Sequence, residues 1–364
     1  MIPMVDLKRQ YLSLKDEIDA AIQGVLEETK FILGPNVSAL EEEIASYHGV
    51  NHAVGVANGT DALMLALRAC GIRAGDEVIT TPFTFIATAE VIALLNATPV
   101  FVDISPQTFN IDAGQIEEKI TSKTKAIMPV HLFGQPADMQ PILEIARQYG
   151  LKVIEDCAQA FGAKYRGQKV GTFGDVGCFS FFPSKNLAGY GDGGMIITRD
   201  EEIAQKVRML RNHGSFRRYY HEEIGHNSRL DEIQAAIIRV KLKKIDQFNA
   251  MRQANAETYR RAIKNPGVIL PWVADGCEHV YHQFTVKTKN RDDVARELQK
   301  HEIACAVYYP LPLHRQEVFR AVYVALRLPQ SESCAAEVLS LPMFPELSSD
   351  EIHAVADILN RAAQ

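Results

Sequence analysis

Apolar positions at the start of the chain follow a helical period. Leu7, Tyr11, Leu14, Ile18 and Ile22 fall on one face, so DLKRQYLSLKDEIDAAIQGVLEE predicts one amphipathic helix. FILGPNVSALEEEIASYHG predicts a turn at Gly34-Pro35 and a second helix, with Asn36 as its N-cap and Gly49 as its stop. The rhythm then changes. HAVGVAN, DEVITT, TPVFVDI, TKAIMPVH and LKVIEDC are short, nearly continuous apolar runs that predict strands. GTDALMLALRAC, FIATAEVIALL, AGQIEEKI and DMQPILEIARQYG lie between them and predict helices. Strands alternating with helices, apolar on both faces, imply a parallel sheet covered on both sides.

Beyond Asp156 the alternation loosens. VGCFSFF and GGMIITRD predict two more strands, EEIAQKVRMLRNHG a helix, and SFRRYYHEEIGHNSR an exposed loop. One long helical run, LDEIQAAIIRVKLKKIDQFNAMRQANAETYRRAI, carries the chain onward. The rest mixes strands (YHQFTVKT, CAVYYP) with helices (RDDVARELQKH, SDEIHAVADILNRA) and predicts a smaller α+β unit. The expected fold class is α/β, a mostly parallel sheet wrapped by helices. Residues 1–245 form a large domain and 246–364 a small one.

Composition narrows the classes without changing this picture. The chain has 364 residues, 47% hydrophobic and 23% charged, as in ordinary globular proteins. Its net charge of −6 gives no general attraction to nucleic acid or to acidic membranes. Six cysteines, Cys70, Cys157, Cys178, Cys277, Cys305 and Cys334, form no C-x-x-C pair and read as free thiols in a reducing compartment. MIPMVDLKRQ turns charged too soon for a signal peptide, and no uncharged run approaches membrane-spanning length. The expected location is the cytoplasm.

The candidate chemistry lies between Asp156 and Lys185. A lysine that reacts with a carbonyl needs a neutral amine, and burial beside apolar groups lowers its pKa. Lys185 follows FSFF in a PSKN turn, although a lysine in a turn is ordinarily solvated. Asp156 ends an apolar strand, where ligands of α/β sheets sit, and an acid there can pair with a protonated pyridine nitrogen. A helix cap or an ion pair is the plainer reading of the same aspartate. Gln159 is three residues on. Gly59 and Thr60 open a helix after the first strand and place backbone N–H groups where a phosphate binds, as a plain capped helix also would. Ser180 offers a hydroxyl, and Phe83 a ring face or a core aromatic.

Seven stretches, FILGP, ANGTDAL, GDEVIT, VIEDCAQAFGA, SFFPSKNL, GDGGMI and GHNSRLDEIQAA, run in order across almost the whole chain. In these the sequence resembles the DegT/DnrJ/EryC1/StrS family of nucleotide-sugar aminotransferases, fold-type-I enzymes using pyridoxal 5′-phosphate. The resemblance implies that Lys185 bonds the cofactor and Asp156 partners its pyridine nitrogen. It implies that Gln159 and Phe83 bracket the ring and that Gly59, Thr60 and Ser180 hold the phosphate. Asn227 would reach that phosphate from a second subunit, so the site would belong to a homodimer. PSKNLAGYGDGG and NSRLD resemble the branch acting on 3-keto sugars. The implied substrate is UDP-2-acetamido-2-deoxy-3-oxo-glucuronate, with glutamate as amino donor and a role in cell-surface polysaccharide biosynthesis. A dTDP-3-keto-6-deoxyhexose is the alternative. Arg229 could bind the glucuronate carboxylate or support its loop. Tyr308, Tyr309 and His314 are substrate candidates by resemblance of VYYPLPLH to the family's C-terminal segment.

Two other patterns fail on context. Gly189, Gly191 and Gly194 match G-x-G-x-x-G but precede a strand instead of opening a helix. His221 and His226 are five apart and would not share a helical face, so HEEIGH is not a zinc motif.

Overall fold

The computed structural model describes residues 1–362. Among the described residues twelve strands are formed: β1 (His52–Val56), β2 (Glu77–Thr80), β3 (Thr98–Phe101), β4 (Thr124–Ile127), β5 (Lys152–Asp156), β6 (Lys164–Tyr165), β7 (Gln168–Lys169), β8 (Val176–Ser180), β9 (Gly194–Thr198), β10 (Cys277–Glu278), β11 (Phe284–Lys287) and β12 (Val338–Leu341). Seven of them make the central sheet in the order β1-β9-β8-β5-β4-β2-β3. The pairs from β8 to β3 are parallel, while β9 runs antiparallel to both β8 and β1.

Both faces of the sheet are dry, which explains the unbroken apolar runs. On one face Val54, Val78, Ala126, Ile154, Val176 and Ile196 pack with helices Gly59–Ala69 and Glu201–Leu210. On the other, Ala53, Phe179 and Ile197 meet helices Pro35–His48 and Glu232–Leu242, while Ile79, Ile127 and Val153 meet Met139–Tyr149. A separate core surrounds the antiparallel pair β11–β12, closed by helices Arg291–Lys300 and Ser349–Ala362. Helix Ile245–Ala262 joins the two, with Ile245 in the first core and Tyr259 in the second. Ile2 and Val5, at the other end of the chain, also pack on this second core.

Several predicted elements differ. The first helix breaks at Leu14, which leaves helical geometry (ψ 11°) as its side chain enters a cluster with Ile18, Ile237 and Phe248. The long helical run breaks at Lys243-Lys244. Gly34, not Asn36, is the N-cap of the Pro35 helix, because Pro35 takes the first helical position where its missing N–H costs nothing. AGQIEEKI forms two 3₁₀ turns, too short an apolar face to support a cooperative α-helix. CAVYYP contributes only an isolated bridge, Ala306 to Ser340. Among the described residues no helix is long and apolar enough to cross a membrane.

Candidate active site

A cavity of about 550 Å³ opens at the carboxyl ends of β1, β5 and β8. Three elements build its anion-binding end. Asn58 caps helix Gly59–Ala69 by accepting from the Asp61 N–H at 2.8 Å. The N–H groups of Gly59 and Thr60 then have no acceptor among the described residues. Ser180, the last residue of β8, closes against them: a Cβ on Gly59 would lie 2.6 Å from the Ser180 Cβ. Gly194 stands as close on the other side, where a Cβ would meet the Asn58 carbonyl oxygen at 2.3 Å. Small residues here let a ligand approach backbone donors at a positive helix end.

Asp156 ends β5 with its carboxylate aimed by neighbours. Its Oδ2 accepts from the Thr88 hydroxyl at 2.9 Å and its Oδ1 from the Ala158 N–H at 3.1 Å. Burial pushes its pKa up; these hydrogen bonds and Lys185 pull against that rise. Lys185 sits in the turn after β8, fixed by its own N–H on the Phe182 carbonyl at 2.8 Å. Its accessible surface faces the cavity, and desolvation there lowers its pKa to about 8, with Asp156 opposing. The site therefore joins an amine whose pKa is lowered toward neutrality, a carboxylate and an anion cradle. That donor set fits pyridoxal 5′-phosphate at its carbonyl, ring nitrogen and phosphate.

Gln159 lines the same cavity with its amide committed. Its oxygen accepts from the Phe133 N–H at 2.8 Å and its nitrogen donates to the Tyr309 hydroxyl at 3.0 Å. Tyr308 and Tyr309 form the wall contributed by the C-terminal part. Two expected residues are elsewhere. Phe83 is fully buried among Phe109, Phe133 and Tyr309, so it is a core aromatic and gives no face to the cavity. The turn after β2 brings Phe85 to the cavity instead. His314 is fully buried in a 3₁₀ turn behind the wall, where its Nε2 meets Glu332 at 2.9 Å. It does not line the cavity. Asn227 and Arg229 also lie off the cavity of their own chain: Arg229 donates to the Asn227 side chain at 2.6 Å and to that of Asn212 at 3.2 Å.

Thr88, Asp192, His282 and Gln283 line the cavity and were not singled out from the sequence. Thr88 follows PFTF within a helix pattern and carries no motif of its own. Asp192 sits inside GYGDGG, the loop already read as glycine-rich active-site backbone.

This constellation on a doubly covered α/β sheet is that of a pyridoxal phosphate enzyme. Residues 12–360 match the DegT/DnrJ/EryC1/StrS aminotransferase family, and the chain belongs to that family. It is an aminotransferase, and its cofactor is pyridoxal 5′-phosphate. It is 51% identical over 360 residues, 98% of this chain and 97% of the relative, to a pleiotropic regulatory protein of Geobacillus stearothermophilus. It is 50% identical, over 99% of this chain and 97% of the relative, to a UDP-N-acetyl-3-dehydro-alpha-D-glucosamine 3-aminotransferase of Acidithiobacillus ferrooxidans. The solved structure of S. venezuelae DesV in complex with a ketimine intermediate superposes with a TM-score of 0.97 at 43% identity, covering 100% of this chain and 98% of that one.

Proposed function

We propose that the protein transfers an amino group from glutamate to the 3-keto group of a UDP-linked 2-acetamido sugar, within cell-surface polysaccharide biosynthesis. The observation that carries the chemistry is the Lys185 amine and the Asp156 carboxylate facing one cavity that has an anion cradle at its end. The sugar and its position are supported by full-length likeness to a 3-aminotransferase of that substrate class.

When bound, pyridoxal phosphate supplies the carbonyl that takes up an amino group and a ring that spreads the electrons left on the substrate carbon. Gly59, Thr60 and Ser180 would hold its phosphate. Asp156, oriented by Thr88 and Ala158, would keep a proton on the ring nitrogen. Lys185 takes the proton from the donor's reacting carbon as general base and returns it as general acid. An amine with a pKa near 8 serves both directions at neutral pH. Phe85 and Gln159, which line the cavity, would pack against the bound ring.

The sugar's C6 group is the open choice of the resemblance. Among the described residues Lys185 is the one lysine or arginine in the lining, so a 6-carboxylate has no cation within one chain. A 6-carboxylate therefore needs its cation from a second chain. The glucuronate reading rests on the planar fork of Arg229 and requires that it be delivered across a homodimer together with Asn227. A purely regulatory role, as in the name of the Geobacillus relative, predicts a broken amine–acid pair, and here both members are present.

Turnover should be measured with glutamate and four acceptors: UDP-3-keto-N-acetylglucosamine, its glucuronate, a dTDP-3-keto-6-deoxyhexose and a 4-keto sugar. Product from the first, with 2-oxoglutarate released, is expected. Product from the 4-keto sugar alone would refute the regiochemistry.

A further inference from the structure

His282 comes from the segment before β11 and reaches the cavity that holds Lys185. It is 4% exposed, and Arg252 ties its backbone to the segment after β12, donating to the carbonyls of Tyr281 at 3.1 Å and His282 at 3.5 Å on one side and Met343 at 2.9 Å on the other. Its Nδ1 lies 3.3 Å from the Asn186 side-chain oxygen. The direction of that contact is fixed by what surrounds it. Asn186 uses its amide nitrogen to donate to the Asn249 side chain at 2.8 Å and to the Val280 carbonyl at 3.0 Å. Asn249 in turn donates to the Phe161 carbonyl at 3.0 Å. Asn186 therefore presents an oxygen to His282, and Nδ1 must carry the hydrogen. With Nδ1 turned to Asn186, Nε2 is the ring nitrogen on the cavity side, and it carries a lone pair.

The imidazole is also held neutral. Burial acts first, and the facing charges Lys185 and Arg252, with His279, act in the same direction. A neutral imidazole beside an amine that must alternate between free base and ammonium is a hydrogen-bond acceptor waiting for a donor. Asn186 is the next residue after Lys185, so the network that sets the tautomer also anchors the lysine's turn.

We infer that His282 is a positioning residue for Lys185, its Nε2 accepting a hydrogen bond from the lysine amine when the cofactor is bound in its pyridoxamine form. The inference rests on Lys185 as the reacting amine and is independent of the sugar used. Its place in the reaction is to steady the ammonium after each proton pickup and aim it back at the same face. Nothing in the sequence marked His282, because its partner Asn186 lies 96 positions away.

The test uses the full-length protein loaded with pyridoxamine phosphate, in which Lys185 is a free amine. The pH dependence of Lys185 acetylation by acetic anhydride, read by mass spectrometry, reports its pKa. His282→Asn keeps a donor near the Nδ1 position for Asn186 but removes the acceptor; His282→Gln places an amide oxygen near the Nε2 position. His282→Asn should lower the labelling midpoint by about one pH unit and kcat by about tenfold, with KM for the keto sugar changed by less than about twofold. His282→Gln should restore much of both. Thermal melting of each variant shows that the fold is kept. An unmoved midpoint in folded His282→Asn would overturn the inference, as would a glutamine variant that behaves like the asparagine one. A rise in sugar KM with no shift in the midpoint would place His282 on the substrate and overturn it equally. Failure of borohydride to join pyridoxal phosphate to Lys185 in the wild-type protein would remove the premise itself.

Discussion

Lys185 has ordinary lysine chemistry until its surroundings are counted. Desolvation brings its amine to about 8, close to the pH at which it must both give and take a proton. The pH–rate profile of the amino-donor half-reaction should therefore rise to a plateau with a midpoint near 8. Asp156 raises the lysine's pKa, so Asp156→Asn should move that midpoint to lower pH while depressing the plateau. A midpoint left in place would detach the carboxylate from the amine. Lys185→Ala removes the proton carrier altogether, and turnover should fall by about 10³-fold or more, measured as 2-oxoglutarate released. Wild-type turnover in that variant would show that another group carries the proton.

The cradle is a property of a helix start and a strand end meeting without room between them. Alanine at position 59 would ordinarily favour the helix over glycine. Here its Cβ would fall 2.6 Å from that of Ser180, so one of the two elements must move. Gly59→Ala should weaken cofactor binding by about 10–100-fold, the equivalent of one charge-assisted hydrogen bond lost, as titrated by cofactor absorbance. An unchanged affinity would put the phosphate elsewhere. These elements were legible early because each has a local signature: an apolar run that stops at Asp156, a glycine after β1, an aromatic run out of β8. The residues misplaced from sequence are those whose direction depends on a turn. Phe83 and Phe85 are two apart in PFTF, and only the backbone path after β2 decides which enters the core. His314 sits beside real cavity residues in VYYPLPLH, yet a 3₁₀ turn points it at Glu332. His282 and Thr88 act through partners distant in sequence, and spacing carries no trace of such contacts.

At the scale of the molecule, the two ends of the chain are tied together. Arg9 grips Glu351 through two hydrogen bonds of 2.8 and 2.6 Å, joining the first helix to the last. The Arg9 hydrogen bonds lower the Glu351 pKa to about 2, from an ordinary 4.5. A carboxylate depressed on folding stabilises above its unfolded pKa and loses that stabilisation as pH falls through the folded one. The clasp thus contributes fully above pH 4.5 and fades toward pH 2. Because Arg9 is 40% exposed, solvent screening limits it to about 1 kcal/mol. Denaturant unfolding at stepped pH should show Arg9→Ala less stable by that amount at pH 6, with the gap narrowing as the clasp titrates. A constant gap down to pH 2 would assign the loss to packing. The shared site that the family resemblance implies makes a further demand on assembly. If Lys185→Ala and Asn227→Ala are each inactive, mixing and reassociating them should recover about a quarter of wild-type activity, since half the dimers are mixed and each holds one intact site. No recovery after proven subunit exchange would argue against a site built from two chains. Finally, β9 runs back beside β8, so the segment carrying Lys185 and the glycine loop leaves and re-enters the sheet at the same end of the strands. The first part of that loop is held, since the Tyr190 N–H donates to Gln234 at 2.7 Å and a Cβ on Gly189 would lie 2.5 Å from the same side-chain oxygen. Asp192 is the residue of this loop that lines the cavity, so a substitution there alters the lining without shifting the register of any strand.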